Sequence, residues 1–229
     1  IIALIRDWAR TGFVPPRDIV VIFTPDEEAG CWQGSHWIVD NRPELLEGVS
    51  EAVGEVGGFS LTVRNDLRLY LLQTAEKGIA WMKLTATGAG GHGSMIHDDN
   101  AVTAVAAATA RLGSHDFPVT MTPTMTACLT AISEPLGIPF DPDHPDEFLA
   151  ALGPMAHILG ATLAHTVNPT MLSAGYKANV VPSEAEAVVD GRFLPGREGE
   201  FLAAVDDLLG DSVTRDFVNF DHGVETTYD

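Results

Sequence analysis

The segment IVVIFTPDEEAG, Ile19 to Gly30, joins an apolar run to an acidic one. Ile19 to Phe23 are continuous, mostly β-branched and of the right length for a strand buried on both faces. Pro25 ends the run because it has no N–H to give to a ladder. Asp26, Glu27 and Glu28 follow directly. In open α/β sheets, ligands sit just beyond the carboxyl ends of strands. Three adjacent carboxylates repel one another, and water, a helix N-terminus or a cation must balance them. Two readings stay open: the acidic first turn of a helix, or a metal site in which one carboxylate is a ligand and its neighbour a general base.

The chain has 229 residues, 45% of them hydrophobic, which suits one large domain or two modest ones with a packed core. Its formal net charge of -19 argues against nucleic acid and against an anionic membrane surface as partners. Cys31 and Cys128 make no disulfide framework. No apolar run reaches the length of a membrane span. The chain begins inside an apolar-periodic helix, with Ile1, Ile2, Leu4, Ile5 and Trp8 on one face and Gly12 closing it. Any targeting peptide would lie upstream.

Residues 1–30 read helix, loop, buried strand and acidic turn, which is half of a βαβ unit. A second helix is expected over Gln33–Asp40. Glu55 then sits among Gly54, Gly57 and Gly58, either as a solvated loop acid or as a functional carboxylate. Arg68 to Ala75 reads as a strand, and Glu76-Lys77-Gly78 as a boundary. Beyond it Ala80, Met82, Leu84 and Ala86 alternate with Trp81, Lys83, Thr85 and Thr87, the pattern of a half-exposed antiparallel strand. A helix is expected from about Asp99 to Leu112 and a mostly helical insert over 114–166. Strands follow near Thr170–Ala174 and Glu184–Phe193, then a helix at about Arg197–Leu209 and a strand over Ser212–Asn219. From Gly78 the order β, α, insert, β, β, α, β is the ferredoxin-like split βαβ order.

GAGGHG, Gly88 to Gly93, fits the dinucleotide-binding pattern G-x-G-x-x-G. Against a nucleotide site, the helix does not open on the motif, the strand before it alternates, and the loop has no basic residue. His92 is an ordinary turn histidine or a ring offered to a ligand by its glycine neighbours. Arg192, in VVDGRFLPG, is either paired with Asp190 or Glu186 or a bidentate clamp for a carboxylate. Asn179, in KANVVPSEAEA, either shapes the turn before Pro182 or binds substrate. No G-x-S-x-G and no H-E-x-x-H occurs.

FTPDEEAG, GEVGGFS, GGHGS with the following DDNAV, and NVVPSEAEAVVDGRFLPG occur in one order over nearly the whole chain. Together they resemble the zinc-dependent aminoacylase/carboxypeptidase family, which includes aminoacylase, glutamate carboxypeptidase, acetylornithine deacetylase and succinyl-diaminopimelate desuccinylase. The resemblance implies an α/β zinc-exopeptidase domain interrupted by a smaller ferredoxin-like lid and dimerisation domain. Residues 1–77 would be catalytic domain, 78–221 the lid with its helical insert 114–166, and 222–229 the return linker.

The resemblance also implies roles. Glu27 would be the general base, and Glu28 and Glu55 metal ligands. His92 would polarise the scissile carbonyl across the dimer, and Asn179 and Arg192 would bind the substrate's carbonyl and carboxylate. The cofactors would be two divalent ions, Zn with Co or Mn as alternatives. The substrate would be an N-acyl amino acid or peptide, the assembly a homodimer through the lid and the location cytoplasmic. The family's early His-x-Asp, bridging Asp and late His are missing, so the chain resembles an internal part of such an enzyme. By itself it is expected to show no hydrolase activity. The alternative is a non-catalytic dimerisation relative.

Overall fold

The computed structural model describes residues 1–54, 60–153 and 155–227. The chain divides into two compact units, Ile1–Glu55 and Val56–Asp229.

In the first unit, α1 (Ile2–Thr11) ends where the periodicity predicts, with Gly12 in the left-handed conformation at φ 72°. The Gly12 N–H donates to the Trp8 carbonyl. A short α2 (Ser35–Asn41) begins two residues later than expected. Ile19–Phe23 forms no strand ladder among the described residues, and its side chains are 36–67% exposed. A doubly buried strand needs a hydrogen-bonded neighbour on each side, and the described residues of this unit supply none. The sequence reading of a paired strand here is therefore corrected.

The second unit is built on a four-stranded antiparallel sheet. Before it lie β1 (Ser60–Arg64) and β2 (Leu67–Tyr70), a hairpin, and β3 (Ala75–Glu76). The expected single strand over 68–75 is thus two short strands with different partners. β4 (Gly78–Thr87) then leads through β5 (Gly91–His92) to α3 (Ala101–Gly113). Asn100 caps α3, its side-chain Oδ1 accepting from the Val102 and Thr103 N–H groups. The insert carries α4 (Pro123–Leu136), α5 (Pro145–Ala151) and α6 (Met155–Leu163). β6 (Thr166–Ala174), β7 (Val180–Val181), β8 (Glu184–Phe193), α7 (Glu198–Leu209), β9 (Thr214–Asp221) and β10 (Val224–Glu225) complete the order.

The sheet order is β6-β8-β4-β9, with every pair antiparallel. The β4–α3–β6 and β8–α7–β9 connections interleave, each skipping over one strand of the other. That is the ferredoxin-like arrangement which the order of elements predicts. The alternation in β4 is decisive. Ala80, Met82, Leu84 and Ala86 are buried under the helices, as are Ala185, Ala187, Val189 and Phe193 of β8. Val105, Ala108 and Leu112 of α3, with Phe201, Val205 and Leu209 of α7, close this core. The helices cover one face because only one face is continuously apolar.

The insert has a second core, with Met125, Leu129 and Ile132 of α4 packed on Phe148, Leu152 and Leu163. It is tied to the foot of the sheet at both ends. The Thr124 N–H, in the first turn of α4, donates to the Glu225 carboxylate at 2.9 Å. The Lys77 ammonium donates to the Ala161 and Ala164 carbonyls at 3.0 and 2.8 Å, near the end of α6. An acid at a helix start and a cation at a helix end both complement the helix dipole. β3 pairs with β10, so the strands that lead into and out of the sheet lie side by side.

Candidate functional site

The acidic segment forms a tight turn in the first unit. Glu27–Ala29 is one turn of 3₁₀ helix, preceded by Asp26 at φ 73° and followed by Gly30 at φ 103°. Asp is among the few side chains that tolerate the left-handed region. Asp26 is held there by three bonds. Its carbonyl accepts from the Ala29 and Cys31 N–H groups at 3.2 and 2.7 Å, and its carboxylate accepts from the Gln33 N–H at 3.0 Å. Adjacent side chains of a 3₁₀ turn diverge by about 120°. Glu27 and Glu28 therefore point apart, both exposed, which relieves their mutual repulsion. Glu55 lies outside the described residues, so its expected convergence with these two is a matter for experiment.

The second cluster lies in the other unit, where β4 ends. β5 pairs with β7, aligning Gly91 with Val181 and His92 with Val180. The Gly93 N–H donates to the Asn179 carbonyl at 2.9 Å. The GGHGS loop and the NVVP segment, far apart in sequence, are thus stitched together by backbone pairing of Gly91–Gly93 with Asn179–Val181. Two close approaches explain the glycines. A Cβ on Gly88 would fall 1.8 Å from the Asp99 carbonyl oxygen, and one on Gly91 would fall 2.6 Å from the His97 ring. The Asp99 carboxylate accepts from the Ala89 N–H at 2.7 Å. The chain's own acid thus occupies a donor that a nucleotide phosphate would need, and the Gly-rich loop is not the opening of a helix.

His92 is exposed, with a ring held from within its own loop. Nδ1 lies 2.8 Å from the Ser94 hydroxyl and accepts from the Ser94 N–H at 3.3 Å. His97 Nε2 lies 3.1 Å from the His92 carbonyl oxygen and donates to it. Beside Val180 runs an open groove of about 520 Å³, lined by Val102, Ala174, Tyr176, Lys177 and Pro182.

Arg192 lies elsewhere. It faces away from the helices near the end of β8, opposite Ile79, whereas the His92 loop springs from the end where Thr87 faces Glu184. Eight residues of strand separate those ends, about 26 Å at 3.3 Å per residue. Asp190 takes Arg192 in a bidentate pair, Nε–Oδ1 2.6 Å and Nη2–Oδ2 3.1 Å, the structural role anticipated for it. Glu186 pairs with Lys83 instead. Burial, aided by the Arg192 charge and opposed by Asp190, pushes the Lys77 pKa down to about 8. The sequence reading quoted Ser94 and Asp99 within its motifs without giving them a contact, and it missed His97 as part of the His92 loop. The signal available was the hydroxyl two residues after His92 and a second histidine three residues beyond it.

Among the described residues, no three His, Cys, Asp or Glu side chains lie close enough to hold a metal ion. Those residues do not by themselves fit a metal centre. No helix among them is long and apolar enough to cross a membrane.

The peptidase dimerisation domain of the M20 peptidases matches residues 74–212, well over half of the sequence. The chain belongs to the M20 metallopeptidase family. "Probable carboxypeptidase S-like 2" of Dictyostelium discoideum is 25% identical over 226 residues, 86% of this chain. The M20 chain spans only 39% of that relative's length. Human carnosine dipeptidase 1 has a similar fold, with a TM-score of 0.50 at 10% identity over 88% of this chain and 47% of its own. An M20 family metallo-carboxypeptidase from Sulfolobus solfataricus matches 67% of this chain and 46% of its own, with a TM-score of 0.44 at 16% identity. The ferredoxin-like sheet is thus the fold of a peptidase dimerisation domain.

Proposed function

We propose that the protein is a metal-dependent amide or peptide hydrolase of the N-acyl amino acid deacylase or carboxypeptidase type. The observation that carries this reading is the pairing of the His92 loop with the Asn179–Val181 segment, His92 opposite Val180 and Gly93 bonded to the Asn179 carbonyl, at one end of a peptidase dimerisation sheet. An exposed imidazole on a loop paired with the segment that carries Asn179 suits polarisation of a substrate carbonyl, which needs donors where oxyanion charge develops. Glu27 is assigned as the base that takes a proton from the attacking water and returns it to the leaving amine. Glu28 and Glu55 are the carboxylate donors this chain would offer to two divalent ions, Zn with Co or Mn as alternatives. Residues 78–221 are assigned to the lid, 222–229 to the return segment and 1–77 to the catalytic part.

The protein is proposed to act as a homodimer through the lid. β6 is an edge strand of nine residues without a single charge, and Met171 and Leu172 on it are exposed. The opposite edge, β9, carries Arg215, Asp216 and Asp221. Natural edges are usually blunted by charge, and an uncharged long edge is a template for a second strand. The separation of the His92 end from the Arg192 end supports the same reading. A small substrate that meets both residues would take them from two protomers.

The test is a screen of the intact protein, loaded in turn with Zn, Co and Mn, against N-acetyl amino acids and dipeptides. Release of free amino acid, abolished by E27Q and cut by about 10²- to 10³-fold in kcat by H92A, is expected. No release with any metal sinks the reading. Met171→Lys should convert a dimer to a monomer by light scattering, and a monomeric wild type removes the dimer from the proposal.

A further inference from the structure

Which nitrogen of His92 carries the proton decides whether the ring can donate to a substrate oxygen. A neutral imidazole has one donor and one acceptor nitrogen. In this loop a backbone N–H, which can only donate, is directed at Nδ1 from Ser94 at 3.3 Å. Nδ1 is therefore the acceptor, and the Ser94 hydroxyl at 2.8 Å completes its environment as a second donor. A proton on Nδ1 would face the Ser94 N–H. The remaining nitrogen, Nε2, has no partner among the described residues, and the ring is exposed. The backbone beneath the ring is fixed as well. The His97 ring packs where a side chain on residue 91 would be and donates to the His92 carbonyl, while the next N–H is taken by Asn179.

We infer that Ser94 is a positioning residue for His92: it holds the imidazole as the Nε2–H tautomer and leaves that single N–H free for a substrate carbonyl oxygen. The inference rests on the proposed role of His92 in polarising the carbonyl. Ser94 itself touches no reacting atom. It acts by keeping the proton on the outward nitrogen, so the donor is already oriented when oxyanion charge develops. Its hydroxyl does what the orienting partner of a catalytic histidine commonly does, with the polarity reversed, since here the partner donates to the ring.

The tautomer is read directly by ring-nitrogen NMR on the intact protein with ¹⁵N-labelled histidine, the His92 signals being assigned by their loss in H92Q. Nε2 protonated and Nδ1 bare near neutral pH is the expected result, and Nδ1 protonated overturns the inference. S94A keeps the backbone donor at 3.3 Å but removes the closer hydroxyl at 2.8 Å, so the His92 signals should move toward a mixture of tautomers. With the dipeptide or N-acetyl amino acid cleaved in the screen, S94A should lower kcat about 5- to 10-fold with little change in KM, the rate equivalent of one neutral hydrogen bond. S94T keeps the hydroxyl and should restore both kcat and the tautomer. Unshifted ring signals in S94A overturn the inference even if kcat falls, since a merely structural loss leaves the tautomer alone. Wild-type turnover by H92A would instead remove His92 from the reaction, and the NMR result would still decide what Ser94 does.

Discussion

Ile19–Phe23 and Gly78–Thr87 are both apolar runs that read as strands, and they end differently. Gly78–Thr87 is hydrogen-bonded along both sides, to β8 and to β9, and its inward side chains are fully buried. Ile19–Phe23 has no ladder among the described residues, and its side chains are exposed. The difference does not lie in hydrophobicity, which is higher in the first. It lies in where the neighbours are encoded. The alternating strand belongs to a sheet whose members all fall within the second unit, so burial and pairing arrive together. A run apolar on both sides demands cover on two faces and a partner on each edge, and the described residues of its own unit provide neither.

The largest test of that contrast is a pair of truncations. Leu84→Ala should cost about 2–5 kcal/mol in chemical denaturation, because it leaves a cavity in a closed core. Val21→Ala should cost less than about 1 kcal/mol. Equal losses would break the comparison, since they would mean that Ile19–Phe23 is packed in the intact protein.

Smaller is the effect of Lys77→Met, which tests whether the self-sufficiency of the sheet extends to the helical insert. It removes the donor to Ala161, Ala164 and Thr166. These acceptors are exposed or half-buried and can turn to water, so the loss is about 0.5–1.5 kcal/mol, that of an ordinary hydrogen bond. The loss should appear as faster amide exchange in 123–163 while β4 and β8 keep their protection. Uniform loss of protection would show that insert and sheet unfold as one.

The smallest expected effect is a pH dependence. His165 is buried between Phe117 and Phe201, and its Nδ1 accepts from the Leu194 N–H at 3.1 Å. Burial lowers its pKa below the ordinary 6.5. On acidification the unfolded chain therefore takes up this proton before the folded one. The stabilising contribution is complete above pH 6.5 and declines as pH falls below it. A stability difference between wild type and H165Q that stays flat from pH 7.5 to 5.5 would show that the ring does not stay neutral in the fold.

The ferredoxin-like unit was legible because its signals are local and mutually consistent. Ala80, Met82, Leu84 and Ala86 alternate along one strand, and each is a single-residue cause with a single-element effect. Strand ends were less legible. β9 ends two residues later than read, at Asp221, and β6 begins four residues earlier, at Thr166. Edge strands pair on one side only, and both ladders carry a register shift, between Trp81 and Met82 opposite β9 and between Pro169 and Met171 in β6. In the candidate site, His92 and Asn179 could be named from their motifs but not the bond that joins their segments. Ser94 and His97 act through hydrogen bonds inside one loop, which leave no periodic trace. Asp26 was read only as one of three acids, although its left-handed backbone opens the 3₁₀ turn on which Glu27 and Glu28 point apart.

The pairing of β3 with β10 has a consequence for how this architecture can be rearranged. The chain crosses into the four-stranded sheet and back out at points one strand spacing apart, about 4.8 Å. Everything between Glu76 and Val224 is a cassette with adjoining ends. A tight two-residue turn spans a gap of that size, so removing the lobe would ask almost no reach of the backbone on either side.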